Sequence, residues 1–108
     1  MIMFEDRASE NGLRLVAKVN ETYIEIGLNY VSPDGDFQIE ISEPSSDGKI
    51  YLAKWKIARN FKEAIEYIEG IYGTTNLRDF TEKASRIQKE MFNDKYVVKC
   101  KKRKYPLL

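Results

Sequence analysis

The sequence predicts an α+β fold: a four-stranded antiparallel meander followed by two helices packed on one face, with a candidate short edge strand near the C-terminus. Two observations carry this prediction. Apolar residues recur with a period of two through the first half and at helical spacing through the second. Turn residues separate the period-two runs, and connections that short join antiparallel neighbours.

Leu13, Leu15, Ala17 and Val19 alternate with Arg14, Val16 and Lys18, which predicts the first strand. Asn20 and Glu21 then leave room for a tight hairpin. Ile24, Ile26, Leu28 and Tyr30 form the apolar side of the second strand. Ser32-Pro33-Asp34-Gly35 is a turn, because proline fixes one φ and glycine supplies a positive one. Phe37, Ile39 and Ile41 mark the third strand, and a second turn follows at Pro44-Ser45-Ser46-Asp47-Gly48. In the fourth run, 49–58, alternation places Tyr51, Ala53, Trp55 and Ile57 on the core side. Ile50, Leu52, Lys54 and Lys56 fall on the other side.

The period changes at Asn60, a helix cap with Glu63 three residues later. Phe61, Ala64, Ile65, Ile68, Ile71 and Tyr72 make one apolar stripe, and Gly73 ends the helix. A second helix is expected from Asn76, with Asp79 reaching back to its cap, to about Asn93-Asp94. Leu77, Phe80, Ala84, Ile87 and Met91 form its narrow seam. Asp79 with Lys83 and Arg86 with Glu90 are the expected i,i+4 pairs on its wet side. Tyr96, Val98 and Cys100 then alternate with Val97, Lys99 and Lys101, the pattern of the edge strand. Residues 1–9 receive no assignment from pattern.

At 108 residues the chain suits a single domain with one core. The expected division is an α+β domain over 1–98 and a basic tail over 99–108. Charge is unevenly spread. The last fourteen residues carry six cations and no anion, whereas the preceding ninety-four carry twelve cations and all seventeen anions. A basic tail on an acidic body suits phosphate or acidic protein surfaces.

With no histidine, the chain lacks the commonest general base and metal ligand. A single cysteine adds neither a disulfide nor a zinc constellation; carboxylate-only metal sites and carboxylate or tyrosine chemistry stay open as the least favoured reading, and no catalytic residue, cofactor or metal site is assigned. No long apolar run suggests a membrane span, and no secretory leader is read, so a reducing, cytoplasmic setting is the expectation.

Two candidate sites remain. One is the sheet face turned away from the helices, read as Val16, Tyr23, Ile50, Leu52, Lys54 and Lys56, with Arg14 and Lys18 beside them. Apolar, aromatic and basic groups mixed in this way suit a protein interface, including a homodimer. The other is the tail, where Lys99, Lys101, Lys102, Arg103 and Lys104 could neutralise nucleic-acid phosphates without reading sequence. Trp55 is read as core, and Cys100 as a small apolar strand residue rather than a reactive thiol. The expected function is a non-catalytic protein-binding domain: an inhibitor, adaptor or regulator. Its Ile, Lys, Asn and Tyr content suits a low-GC genome and a mobile element. The alternative is a nucleic-acid-binding domain that uses the tail and the basic sheet residues.

Overall fold

Each strand is tied to the next by a connection shorter than a crossover needs, so sequence order becomes spatial order. The computed structural model describes residues 1–9, 12–29 and 35–92. Within them the chain builds one five-stranded antiparallel sheet followed by two helices. The strands are β1 (Glu5–Asp6), β2 (Arg14–Val19), β3 (Thr22–Leu28), β4 (Phe37–Pro44) and β5 (Tyr51–Ala58), paired in that order. Helix α1 spans Phe61–Tyr72, a 3-10 turn spans Leu77–Phe80, and α2 spans Thr81–Phe92. No helix of the described residues is long and apolar enough to cross a membrane.

The extra strand relative to the sequence reading is β1, at the N-terminal edge. The expected C-terminal edge strand at Tyr96, Val98 and Cys100 lies outside the described residues.

Alternation sorts the side chains of β2, β3 and β4. Leu15 and Ala17, Ile24, Ile26 and Leu28, and Phe37, Ile39 and Ile41 are buried under the helices. Side chains of this size each contribute about 1.5–3 kcal/mol when removed from water. The β2–β3 hairpin turns on Asn20 and Glu21, with Val19 paired to Thr22. Asn20 takes φ +54°, which asparagine tolerates better than most residues.

Helix α1 begins as its sequence predicts. The Asn60 side chain accepts the Glu63 N–H at 2.9 Å. The Glu63 carboxylate reaches back one residue further than a capping box requires, and accepts the Arg59 N–H at 2.7 Å. Phe61, Ala64, Ile65 and Ile68 are buried, and Gly73 ends the helix at φ +99°. Ile71, expected in the apolar stripe, is exposed.

The approach to α2 differs from expectation. Asn76 caps nothing with its side chain, and the 3-10 turn intervenes before α2 starts at Thr81. The Asn76 carboxamide instead holds the N-terminal segment. It accepts the Phe4 N–H at 2.7 Å and donates to the Phe4 carbonyl at 3.0 Å. Beside it, Ile2 forms a parallel bridge with Thr75. This clamp buries Phe4 in the core. Thr75, also buried, accepts the Leu77 N–H at 3.1 Å and donates its hydroxyl to Glu69 at 3.0 Å. Lys83, expected to pair with Asp79 along its own helix, instead pairs with Asp6 of β1. Gln88 of α2 donates to the carbonyls of Gly35 and Arg59.

Candidate interaction surface

The largest departure from the sequence reading is in β5. The turn before it decides the matter. Ser45 N–H donates to the Ile50 carbonyl at 2.8 Å, and Gly48 takes φ +71° inside the loop. Once Ser45 faces Ile50, Ile41 faces Lys54, Ile39 faces Lys56 and Phe37 faces Ala58. Directly opposed residues share a sheet face. Leu52, Lys54, Lys56 and Ala58 therefore lie on the helix side, and Tyr51, Ala53, Trp55 and Ile57 lie on the outer side. This inverts the expected phase, since a shift of one residue moves a whole strand to the opposite face.

Core membership changes accordingly. Ala53, Trp55 and Ile57 are exposed, and Trp55 keeps 62 % of its surface in water. Ala58, at the end of β5, is the strand's one buried residue. Phe4, from the N-terminal segment that pattern left unassigned, also enters the core.

The proposed sheet-face residues are consequently divided. Val16 and Tyr23 lie on the outer face, Val16 half-buried and Tyr23 exposed. Ile50 sits in the turn, exposed, at the base of β5. Leu52, Lys54 and Lys56 lie on the helix side, where the Lys56 ammonium rests 5.7 Å from the centre of the Tyr67 ring of α1. Thus the six residues do not form one face. Ile50, Leu52, Lys54 and Lys56 lie on or beside β5, which is exposed on both sides, whereas Val16 and Tyr23 lie on β2 and β3.

Three residues outside that set belong to the surface: Tyr51, Trp55 and Ile57. Tyr51 meets Tyr23 edge-to-face across β4, with ring centres 5.8 Å apart. Ile50, Tyr51, Leu52, Trp55 and Ile57 are all exposed along this strand and the turn before it, with Tyr51, Trp55 and Ile57 on the outer side. The signal was present in the sequence as loop length. Setting Ser45 against Ile50 across a four-residue turn leads to this phase, but apolarity alone argues for the opposite one.

Elsewhere the outer face is mixed in charge. Arg14 and Glu25 pair at 2.7 Å, and Lys18 lies 5.3 Å from the centre of the Tyr23 ring. A shallow depression of about 430 Å³ is lined by Met3, Glu5, Arg7, Val16 and Glu40 among others. The basic residues Lys99, Lys101, Lys102, Arg103 and Lys104, with Cys100, lie outside the described residues.

Three carboxylates are held below their ordinary pKa, each by structural partners. Burial opposes ionisation of Asp6, but the Lys83 ammonium and the backbone N–H groups of Ala8 and Arg14 outweigh it. Glu69 is lowered by the Thr75 N–H and the Arg78 guanidinium. Asp47 is lowered by the Ser45 hydroxyl and the Lys49 N–H within the β4–β5 turn. Burial and the neighbouring Glu43 carboxylate raise Tyr72 above the usual phenol range. Among the described residues no group of three or more His, Cys, Asp or Glu side chains is arranged to hold a metal ion. Compared with known proteins, the chain matches no family model, no curated protein and no solved structure.

Proposed function

We propose that this chain is a non-catalytic protein-binding domain, an inhibitor, adaptor or regulator that docks through β5 and the outer-face aromatics beside it. The observation that carries the reading is the exposure of Tyr51, Trp55 and Ile57 on a strand at the end of the sheet. Tyrosine and tryptophan are favoured at interfaces, where their rings provide contact area at small entropic cost. Large apolar side chains exposed at alternate positions on one side of a strand support an interaction site. The Tyr23 and Tyr51 rings support each other, so part of the surface is ordered before a partner arrives.

The nucleic-acid alternative draws on the tail cations. It finds less support in the sheet, where Lys54 and Lys56 lie on the face opposite Arg14 and Lys18.

Photo-cross-linking in cells that make the protein tests the reading. The photoreactive residue p-benzoylphenylalanine replaces Trp55 in one variant and the exposed Ser85 of α2 in another. Discrete protein adducts from position 55 and none from position 85 are expected. Equal labelling from both positions, or adducts to nucleic acid alone, would argue against protein docking at β5.

A further inference from the structure

Resting on the protein-binding reading, we propose that the partner adds an extended strand to the open edge of β5, and that this strand presents acidic side chains on the helix side. The backbone geometry comes first. In an antiparallel ladder, pairs that exchange hydrogen bonds alternate with pairs that do not. Ser45 and Ile50 are a bonded pair at the turn. Stepping by two, Leu52, Lys54, Lys56 and Ala58 direct their N–H and C=O groups toward β4. Tyr51, Ala53, Trp55 and Ile57 direct theirs away from it. Among the described residues no strand lies on that side of the sheet. An edge of this length is a template for strand addition, in which main-chain bonds supply affinity and alternate side chains supply specificity.

The two faces of β5 then set the partner's chemistry. On the outer side, Tyr51, Trp55 and Ile57 call for apolar neighbours. On the helix side, Lys54 and Lys56 stand about 7 Å apart along the strand. Neither forms an ion pair within the described residues. The acids nearest that face pair with neither lysine. Glu43, opposite Leu52, lies close enough to Tyr72 to raise its phenol above the usual range. Glu63 pairs with Arg59, and Glu66, which lines the same cleft as Lys56, forms no ion pair with it. An incoming strand with carboxylates at alternate positions meets both lysines directly.

The same charges argue against a second copy of this chain as the occupant. Antiparallel self-pairing centred on Lys54 sets that lysine against its own equivalent. Centring it on Trp55 sets Lys54 against the copy's Lys56. Like charges directly opposed destabilise a sheet.

The probes are end-blocked eight-residue peptides of alternating glutamate and valine, or of alternating lysine and valine, added to the full chain. Trp55 is the chain's one tryptophan, so its emission reads occupancy of the edge directly. The glutamate peptide is expected to shift that emission to the blue and to bind at least about tenfold more tightly than the lysine peptide. Methylating its valine amides should abolish binding, and Lys54→Glu with Lys56→Glu should reverse the preference. In the free chain, the amides of Tyr51, Ala53, Trp55 and Ile57 should exchange rapidly with solvent.

Slow exchange in the monomer would mean that the chain covers its own edge. Protection that grows with protein concentration would mean that a second copy does. Either result overturns the proposal, as does equal binding of both peptides or binding of neither. Cross-linking from position 55 is read separately, so protein docking by another mode would remain visible if strand addition failed.

Discussion

The Ser45 N–H donates to the Ile50 carbonyl at 2.8 Å, and this bond sets which side chains of β5 lie on each face of the sheet. From it the register runs unbroken to Phe37 opposite Ala58. The Asp47 carboxylate steadies the turn by accepting from the Ser45 hydroxyl and from the Lys49 N–H. A local turn thereby determines the composition of a surface extending along the whole strand.

Stability should separate two aromatic residues that the sequence alone would both place in the core. Phe37 is fully buried and stacks at a tilt on Phe61, with ring centres 5.6 Å apart. Phe37→Ala should cost about 3–5 kcal/mol. Trp55→Ser should change stability by only about 0.5 kcal/mol or less, as exposed substitutions do. Urea unfolding of the two variants checks this, and a loss of several kcal/mol for Trp55→Ser would contradict the register.

Asn76→Ala should release the N-terminal segment. It removes one acceptor and one donor, leaving two backbone groups of Phe4 without their partner. A loss of about 1–3 kcal/mol is expected. Amide exchange at Phe4 should accelerate well before global unfolding, whereas exchange in the middle of β3 should follow global stability. Unchanged exchange at Phe4 would show that the clamp contributes nothing.

Acid should weaken the fold through Asp6. Its folded pKa lies below the ordinary value, so the unfolded chain takes up the proton first as pH falls. The stabilisation is complete above the usual aspartate range and disappears as pH falls through the folded pKa. Asp6→Asn cannot ionise and should therefore lose less stability than the parent between neutral and strongly acidic pH. Urea midpoints across that range give the comparison, and parallel curves for the two proteins would remove Asp6 from the account. Glu69, lowered by Thr75 and Arg78, titrates with the same sign.

The cap of α1 offers a purely local test. Asn60→Ala removes the acceptor for the Glu63 N–H and should cost about 1 kcal/mol. Asn60→Ser, which keeps an acceptor, should recover most of that. Equal losses in both variants, measured by thermal unfolding, would show that the hydrogen bond is not what stabilises the end of the helix.

These residues also show how far pattern reading reaches. Strands β2, β3 and β4 follow from alternation, and α1 follows from its stripe and its Asn60–Glu63 start, because each signal is local. The helical residues after Gly73 were legible as helical, but the role of Asn76 was not. An asparagine before an apolar seam resembles a cap, whereas its partner here lies 72 residues away. Strand β1 is two residues long, too short to show a period. In β5 the span was legible and the phase was not. Either alternation is self-consistent, and tryptophan with isoleucine makes the odd-numbered set look like core. Only the register passed on from the turn assigns those residues to the outer face. Of the six residues read as one face, Ile50, Leu52, Lys54 and Lys56 lie on or beside β5 and Val16 and Tyr23 on β2 and β3, while the outward side chains of Tyr51, Trp55 and Ile57 were read as core-facing.

The most direct test is the intrinsic fluorescence of Trp55 in the free, full-length chain. An outward-facing tryptophan on an open edge should emit at the long wavelengths of a water-exposed indole and be quenched by acrylamide almost as readily as the free amino acid. Short-wavelength emission that resists quenching would return Trp55 to the core, and the β5 interaction surface would fall with it.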